Sequence, residues 1–177
     1  MIDPESYDWS KFELTYYYNA PLSRVFRAWT ESRGLESFFI AHSAYSKNSN
    51  RRADDELPQA GDNYNWEFRQ GFSVDGTITT LTPEKQFSFS FGQMQVDIYF
   101  RAFNSQTEVQ LIQSKIQNTA DGKVLGHLNC RSCWIFFMTN LTSILDHGKD
   151  LRDANPDLVS SMEVGFIPMT QRDPDSG

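Results

Sequence analysis

Cys130-Arg-Ser-Cys133 is the pair of side chains best spaced for chemistry in this sequence of 177 residues. A redox dithiol needs its first cysteine at a helix N-terminus, where the backbone dipole lowers the thiol pKa. The pair falls near the start of a helical period, which suits that role, but the βαβ context of a thioredoxin-like motif is missing. Cys130 shares a helical face with Trp134, and Cys133 with Phe137, so both read first as small buried hydrophobes. A closed zinc site would need two further ligands, and His127 is the nearest candidate. His42 and His147 stand apart and read as surface or capping residues. Two histidines and a carboxylate at the spacing of a non-haem iron site are not present.

Acid–base catalysis needs an inward carboxylate or histidine with a displaced pKa. Glu67, Asp97 and Arg101 are the polar residues closest to the apolar strands, and alternation puts all three on the opposite, solvent face. Phosphate-binding glycine loops, hydrolase nucleophile elbows and paired carboxylates at catalytic spacing are absent. No catalytic residue, metal or cofactor is assigned, and an enzyme is the less favoured reading.

Aromatic residues are the richer signal. They make up 14% of the chain, with fourteen Phe, seven Tyr and four Trp, and they supply large apolar area per residue. Tyr64, Trp66 and Phe68 alternate with polar residues, as do Phe87, Phe89 and Phe91. Together with Ile78, Ile98 and Phe100 they form the inner face of a set of strands. Trp134, Met138 and Leu141 face them from a helix. These twelve residues are the candidates to line a cavity for a small apolar or amphipathic ligand, although core packing explains the same pattern.

The elements that would position them read clearly. Lys11–Asn19 is rich in strand formers, and Asn19-Ala-Pro21 ends it. Pro21 suits a first helical position, and Leu22, Val25, Phe26 and Trp29 then recur at helical spacing. Ser32 is placed to cap a second short helix through Phe38 and Phe39. A brief strand runs from His42 to Tyr45, followed by a polar exposed loop over Ser46–Gly61 in which Arg51 and Arg52 are solvated. Strands then follow at Asn63–Arg69, Ser73–Leu81 with a bulge or bend at Asp75-Gly76, Gln86–Gly92, Gln95–Phe103 and Thr107–Ile116. After the Asn118–Gly122 loop the period turns helical: Trp134, Phe137, Met138, Leu141, Leu145 and Gly148 make one stripe. Asn140, Ser143, Asp146, His147 and Asp150 fall away from it. Ile135 and Phe136 lie off the stripe and, with the apolar middle of the tail, offer surface for a homodimer.

Such an order is α+β. The expected fold is a helix grip: a curved antiparallel sheet around a long C-terminal helix, with two short helices after the first strand. One domain spans 1–177, with a core over about 11–152 and an extension over 153–177 that docks on the domain or on a partner.

Composition sets the remaining bounds. The formal charge of −7 argues against nucleic acid, whose binders need a basic surface. No run approaches the ~18 apolar residues of a membrane span. The acidic N-terminus has no apolar signal-peptide core. Two cysteines and no export signal point to the cytoplasm.

Three stretches carry a family likeness. Asn19-Ala-Pro21 through Val25, Phe26, Ala28, Trp29 and Thr30 is the first. Asp75-Gly76-Thr-Ile-Thr-Thr-Leu-Thr-Pro83 with Phe87-Ser-Phe-Ser-Phe91 is the second. Trp134 through Asn140-Leu141, Leu145, Gly148, Asp150, Leu151 and Arg152 is the third. In order and spacing they resemble the homologues of the heat-shock-protein-90 ATPase activator C-terminal domain, within the START-like (SRPBCC, birch-pollen-allergen-like) superfamily. The polar insertion at Ser46–Pro58 and the tail beyond Arg152 depart from that pattern. The resemblance implies the helix-grip fold and a hydrophobic cavity. It also implies two alternatives to simple binding: a co-chaperone-like partner of a heat-shock ATPase, and a cavity enzyme of cyclase or hydrolase type.

Overall fold

The computed structural model describes residues 6–69, 71–155 and 157–165. Strand β1 (Phe12–Tyr18) leads into helices α1 (Leu22–Thr30) and α2 (Ser32–Phe38). Then come β2 (His42–Lys47), β3 (Asn50–Arg51), β4 (Asn63–Glu67), β5 (Ser73–Thr82), β6 (Gln86–Phe91), β7 (Met94–Phe103) and β8 (Gln106–Ser114). A π-helical segment, Gly122–Asn129, runs directly into α3 (Cys130–His147), and α4 (Ser161–Val164) lies in the tail. Among the described residues the strands form one curved antiparallel sheet in the order β1-β8-β7-β6-β5-β4-β2-β3.

Alternation decides which face is buried. Tyr64, Trp66, Phe87, Phe89, Val96, Ile98, Val109 and Leu111 point inward and are buried, as a half-solvated antiparallel sheet requires. Helix α1 starts on Pro21, whose φ of −58° is already helical, and sinks Val25, Phe26 and Trp29 into the core. Helix α3 ends at Gly148, which takes the left-handed φ of 66° that a residue without Cβ adopts at no steric cost.

The structure corrects several local expectations. Ser32 does not cap α2; it is the first helical residue, and Glu31 precedes it in extended conformation. No bulge occurs at Asp75-Gly76, which stay in register with Asn65 and Tyr64; the ladder slips instead between Ile78 and Thr80. Ser46–Gly61 is not wholly a solvated loop. It contains β3, paired to β2, and Arg52 folds inward onto Asp62 and Glu56. Asn140, set apart from the apolar stripe by its polarity, is fully buried. Its amide donates to the Phe38 carbonyl and to Asp150, and its oxygen accepts the Leu151 N–H. It thereby ties α2, α3 and the start of the tail together.

Phe136, off the stripe, is covered within this chain, and the Ile135 carbonyl accepts the Tyr16 hydroxyl at 3.3 Å. The second contact of α3 is thus with β1. Of the apolar tail, Phe166 and Ile167 lie outside the described residues.

Candidate ligand pocket

Helix α3 shares one apolar core with the inner face of the sheet and with α1 and α2. Beside Phe68 and Phe72, between β4 and β5, a pocket of about 250 Å³ opens between sheet and helix. The sheet side supplies Phe68, Phe72, Val74 and Phe91; Phe39 comes from the end of α2. The helical side supplies Leu125 and Asn129 from the π-helical segment and Cys130, Cys133, Trp134 and Phe137 from α3. Glu163, from α4, closes one side.

Ring contacts fix this wall. Phe39 stacks on Trp134 with centroids 4.9 Å apart and meets Phe137 edge-on at the same distance. Phe68 stacks on Phe72 at 4.7 Å. Trp134 is further held by Gln113 on β8, which accepts the indole N–H at 2.8 Å and donates to the Gly126 carbonyl at 3.0 Å. Gln113 is buried, so both of these bonds are shielded from water. They lock the indole against the π-helical segment, a form of helix that recurs at functional sites.

The described part of the tail reaches the rim of the pocket. Arg69, just past β4, donates to the carbonyls of Asp153 and Asn155 at 2.6 and 3.0 Å. It also faces the Glu163 carboxylate at 3.5 Å. Ser160 and Glu163 form a reciprocal capping box at the start of α4. Glu163 is the one carboxylate among the described residues that line the pocket.

Cys130 and Cys133 are half-buried and unpaired as thiols. They sit beyond the whole π-helical segment, not at a free helix N-terminus, which removes the dipole argument for an activated dithiol. Burial pushes the Cys133 thiol up to about 12, with Cys130 beside it adding to the effect, and burial raises Cys130 too. Both are protonated pocket wall near neutrality. His127 lies elsewhere: it is buried, lies 3.1 Å from the Tyr7 hydroxyl and 3.2 Å from the Trp9 carbonyl, and burial lowers its pKa. Among the described residues no cluster of three or more His, Cys, Asp or Glu could hold a metal ion. No helix among them is long and apolar enough to cross a membrane.

Of the residues expected at a cavity, Phe68, Phe91 and Trp134 line this pocket. Tyr64, Trp66, Ile78, Phe87, Phe89, Ile98, Phe100, Met138 and Leu141 do not line it and are packed in the core that the sheet shares with α1, α2 and α3. Alternation identifies an inward face but not which stretch of it a helix covers. Phe39, Phe72, Val74, Leu125, Asn129, Phe137 and Glu163 line it without having been expected to from the sequence. Gln113 carries a readable signal: it follows Val109 and Leu111 at period two, a polar residue on an apolar face.

A sequence profile of the family described as Activator of Hsp90 ATPase homolog 1-like protein matches residues 19–146. Among curated proteins none matches this sequence. Solved structures share the fold. The protein SSP2350 from Staphylococcus saprophyticus is 17% identical with a TM-score of 0.63, over 81% of this chain and 97% of that one. The Aha1 dimer from Colwellia psychrerythraea is 18% identical with a TM-score of 0.62, over 78% and 98%. CalU16 from Micromonospora echinospora is 15% identical with a TM-score of 0.60, over 78% and 77%. With the profile covering most of the chain and the helix grip in place, the chain belongs to the Activator of Hsp90 ATPase homolog 1-like family.

Proposed function

We propose that this protein binds one small apolar or amphipathic molecule in the pocket between β4–β5, α3 and the tail, and does no chemistry on it. The observation that carries this reading is a volume of about 250 Å³ walled by Phe39, Phe68, Phe72, Val74, Phe91, Trp134 and Phe137. An apolar cavity of about 150 Å³ stays dry and takes up benzene, so this one suits a body of roughly naphthalene size. Affinity would come from apolar area removed from water, ~25 cal/mol per Å². The tail, described over 153–155 and 157–165, is read as part of the same domain, a strap that shields a bound molecule.

Native mass spectrometry of the full chain with naphthalene-sized hydrocarbons, alongside thermal melting, tests this. One molecule bound per pocket and a raised melting temperature are expected; no binding and no shift would overturn it.

A second reading rests on Glu163. A buried carboxylate at the wall of an apolar pocket is the kind of group a cavity enzyme uses as its base. Its pairing with Arg69 and the want of a second acid–base group among the described lining residues favour the strap role instead. Glu163→Gln separates the two: a strap residue affects ligand exchange, a base abolishes turnover.

A further inference from the structure

We infer that Cys130 and Cys133 form a chelating dithiol in the pocket wall, and that the pocket takes a trivalent organoarsenical whose arsenic bonds both sulfurs while its organic group fills the aromatic chamber. This deepens the binding reading above and rests on it.

The two thiols stand three residues apart on α3, and both line the pocket. Side chains at that spacing are neighbours on one helix face, with Cβ atoms about 5–6 Å apart, so one atom can bridge their sulfurs. Neither is spent in a disulfide. The Cys130 thiol donates at 3.3 Å to the carbonyl of Leu125, itself pocket wall. The tail passes over Cys133: a Cβ built on Gly165 would stand 3.2 Å from its Sγ. The pair therefore lies between the π-helical segment and the tail, in the same chamber as the rings of Phe39, Phe91 and Trp134.

Donor count selects the guest. A closed zinc site takes four ligands, and no cluster of three or more His, Cys, Asp or Glu occurs among the described residues. An arsenic atom carrying one organic group brings its own third bond, to carbon, and needs only two sulfurs. Charge selects it as well. A monovalent metal ion on two thiolates leaves a net negative charge, which is costly against an apolar wall, and no Lys or Arg is among the described lining residues. The arsenical gives a neutral product. Two As–O bonds of its hydrated oxide break, two As–S bonds form, and the S–H protons leave with the hydroxides as water. Arsenic stays trivalent and no net proton is released. Thiols kept protonated by burial can therefore complete this condensation, although they attack slowly.

The test uses phenylarsine oxide on the full chain, read by native mass spectrometry in excess glutathione. One adduct per chain is expected, its added mass that of the oxide less one water, resistant to glutathione and stripped by 1,2-ethanedithiol. Cys130→Ala and Cys133→Ala should each weaken retention at least about a hundredfold, because chelation makes the second bond intramolecular. Both variants should still bind a naphthalene-sized hydrocarbon, which reports that they fold; if one does not fold, the other carries the comparison. The wild-type adduct should exclude that hydrocarbon and melt higher than the free chain. Loss of the arsenical to glutathione, or undiminished retention by a folded variant, overturns the inference. So does an adduct that leaves hydrocarbon binding intact or lowers the melting temperature. In those cases the pocket stands as long as the untreated protein binds the hydrocarbon. If it does not, pocket and dithiol site fall together.

Discussion

Gly76 lies directly opposite Tyr64 on the β4–β5 ladder, and the Tyr64 ring passes across the space its missing side chain would take. A Cβ at position 76 would stand 2.5 Å from the ring and its hydroxyl. The glycine thus lets the phenol reach the Ser90 carbonyl on β6, stitching three strands where the sheet bends. Gly76→Ala should destabilise the fold by about 1–3 kcal/mol through overpacking, read as a lower urea midpoint. Tyr64→Phe should cost about 1 kcal/mol for the lost hydrogen bond. The double variant Gly76→Ala/Tyr64→Ala should cost less than the sum of Gly76→Ala and Tyr64→Ala measured singly, because the clash disappears with the ring.

Asp62, held by Arg52, is one of the carboxylates that should give the stability an acid dependence. The Asp62 side chain is 0% exposed and Arg52 12%. Burial works to raise the carboxyl pKa, but hydrogen bonds from Arg52 and the Gln59 N–H, with the guanidinium charge, hold it below the usual carboxylate range. A carboxyl whose pKa is lower folded than unfolded stabilises the fold above its unfolded value and loses that contribution as pH falls through the folded value. Melting temperature should therefore fall below about pH 4, and part of that slope should vanish in Asp62→Asn. Near neutrality that variant should be less stable by about 3 kcal/mol, since it leaves a largely buried guanidinium without its main partner.

The cysteines report on the pocket. With Cys133 pushed up to about 12 and Cys130 also raised by burial, little thiolate exists near neutral pH. Iodoacetamide should label both more slowly than a free thiol and faster as pH rises. Protein alkylated at Cys133 should lose binding of apolar probes, because the adduct occupies the wall. Rapid labelling near pH 7, or labelling without loss of binding, would contradict this arrangement.

Arg69 is the latch of the strap. Arg69→Ala removes its bonds to Asp153, Asn155 and Glu163. Charged hydrogen bonds are worth roughly 1.5–3 kcal/mol each, so amides over 158–165 should exchange with deuterium at least about tenfold faster. A bound probe should also dissociate faster, with the rest of the fold protected as before.

The sheet and its long helix were legible because each has one apolar face with a clean period. Phe87, Phe89 and Phe91 alternate, and Trp134, Phe137, Met138 and Leu141 recur at helical spacing. What escaped was set by tertiary contact. Asn140 is polar, yet α2 and the tail close over it. Arg52 sits in a charged run, yet Asp62 draws it inward. The pocket depends on where sheet and helix diverge, which periodicity does not encode: Phe91 lines it while Phe89, two residues away on the same face, is core. Phe72, on a turn, and Glu163, in the tail, had no period to betray them.

Intermolecular nuclear Overhauser effects from a saturating naphthalene-sized probe test the account most directly. Cross-peaks from the probe to ring protons of Phe39, Phe68, Phe91 and Trp134 are expected. Cross-peaks confined to other surfaces, or none at saturation, would contradict it.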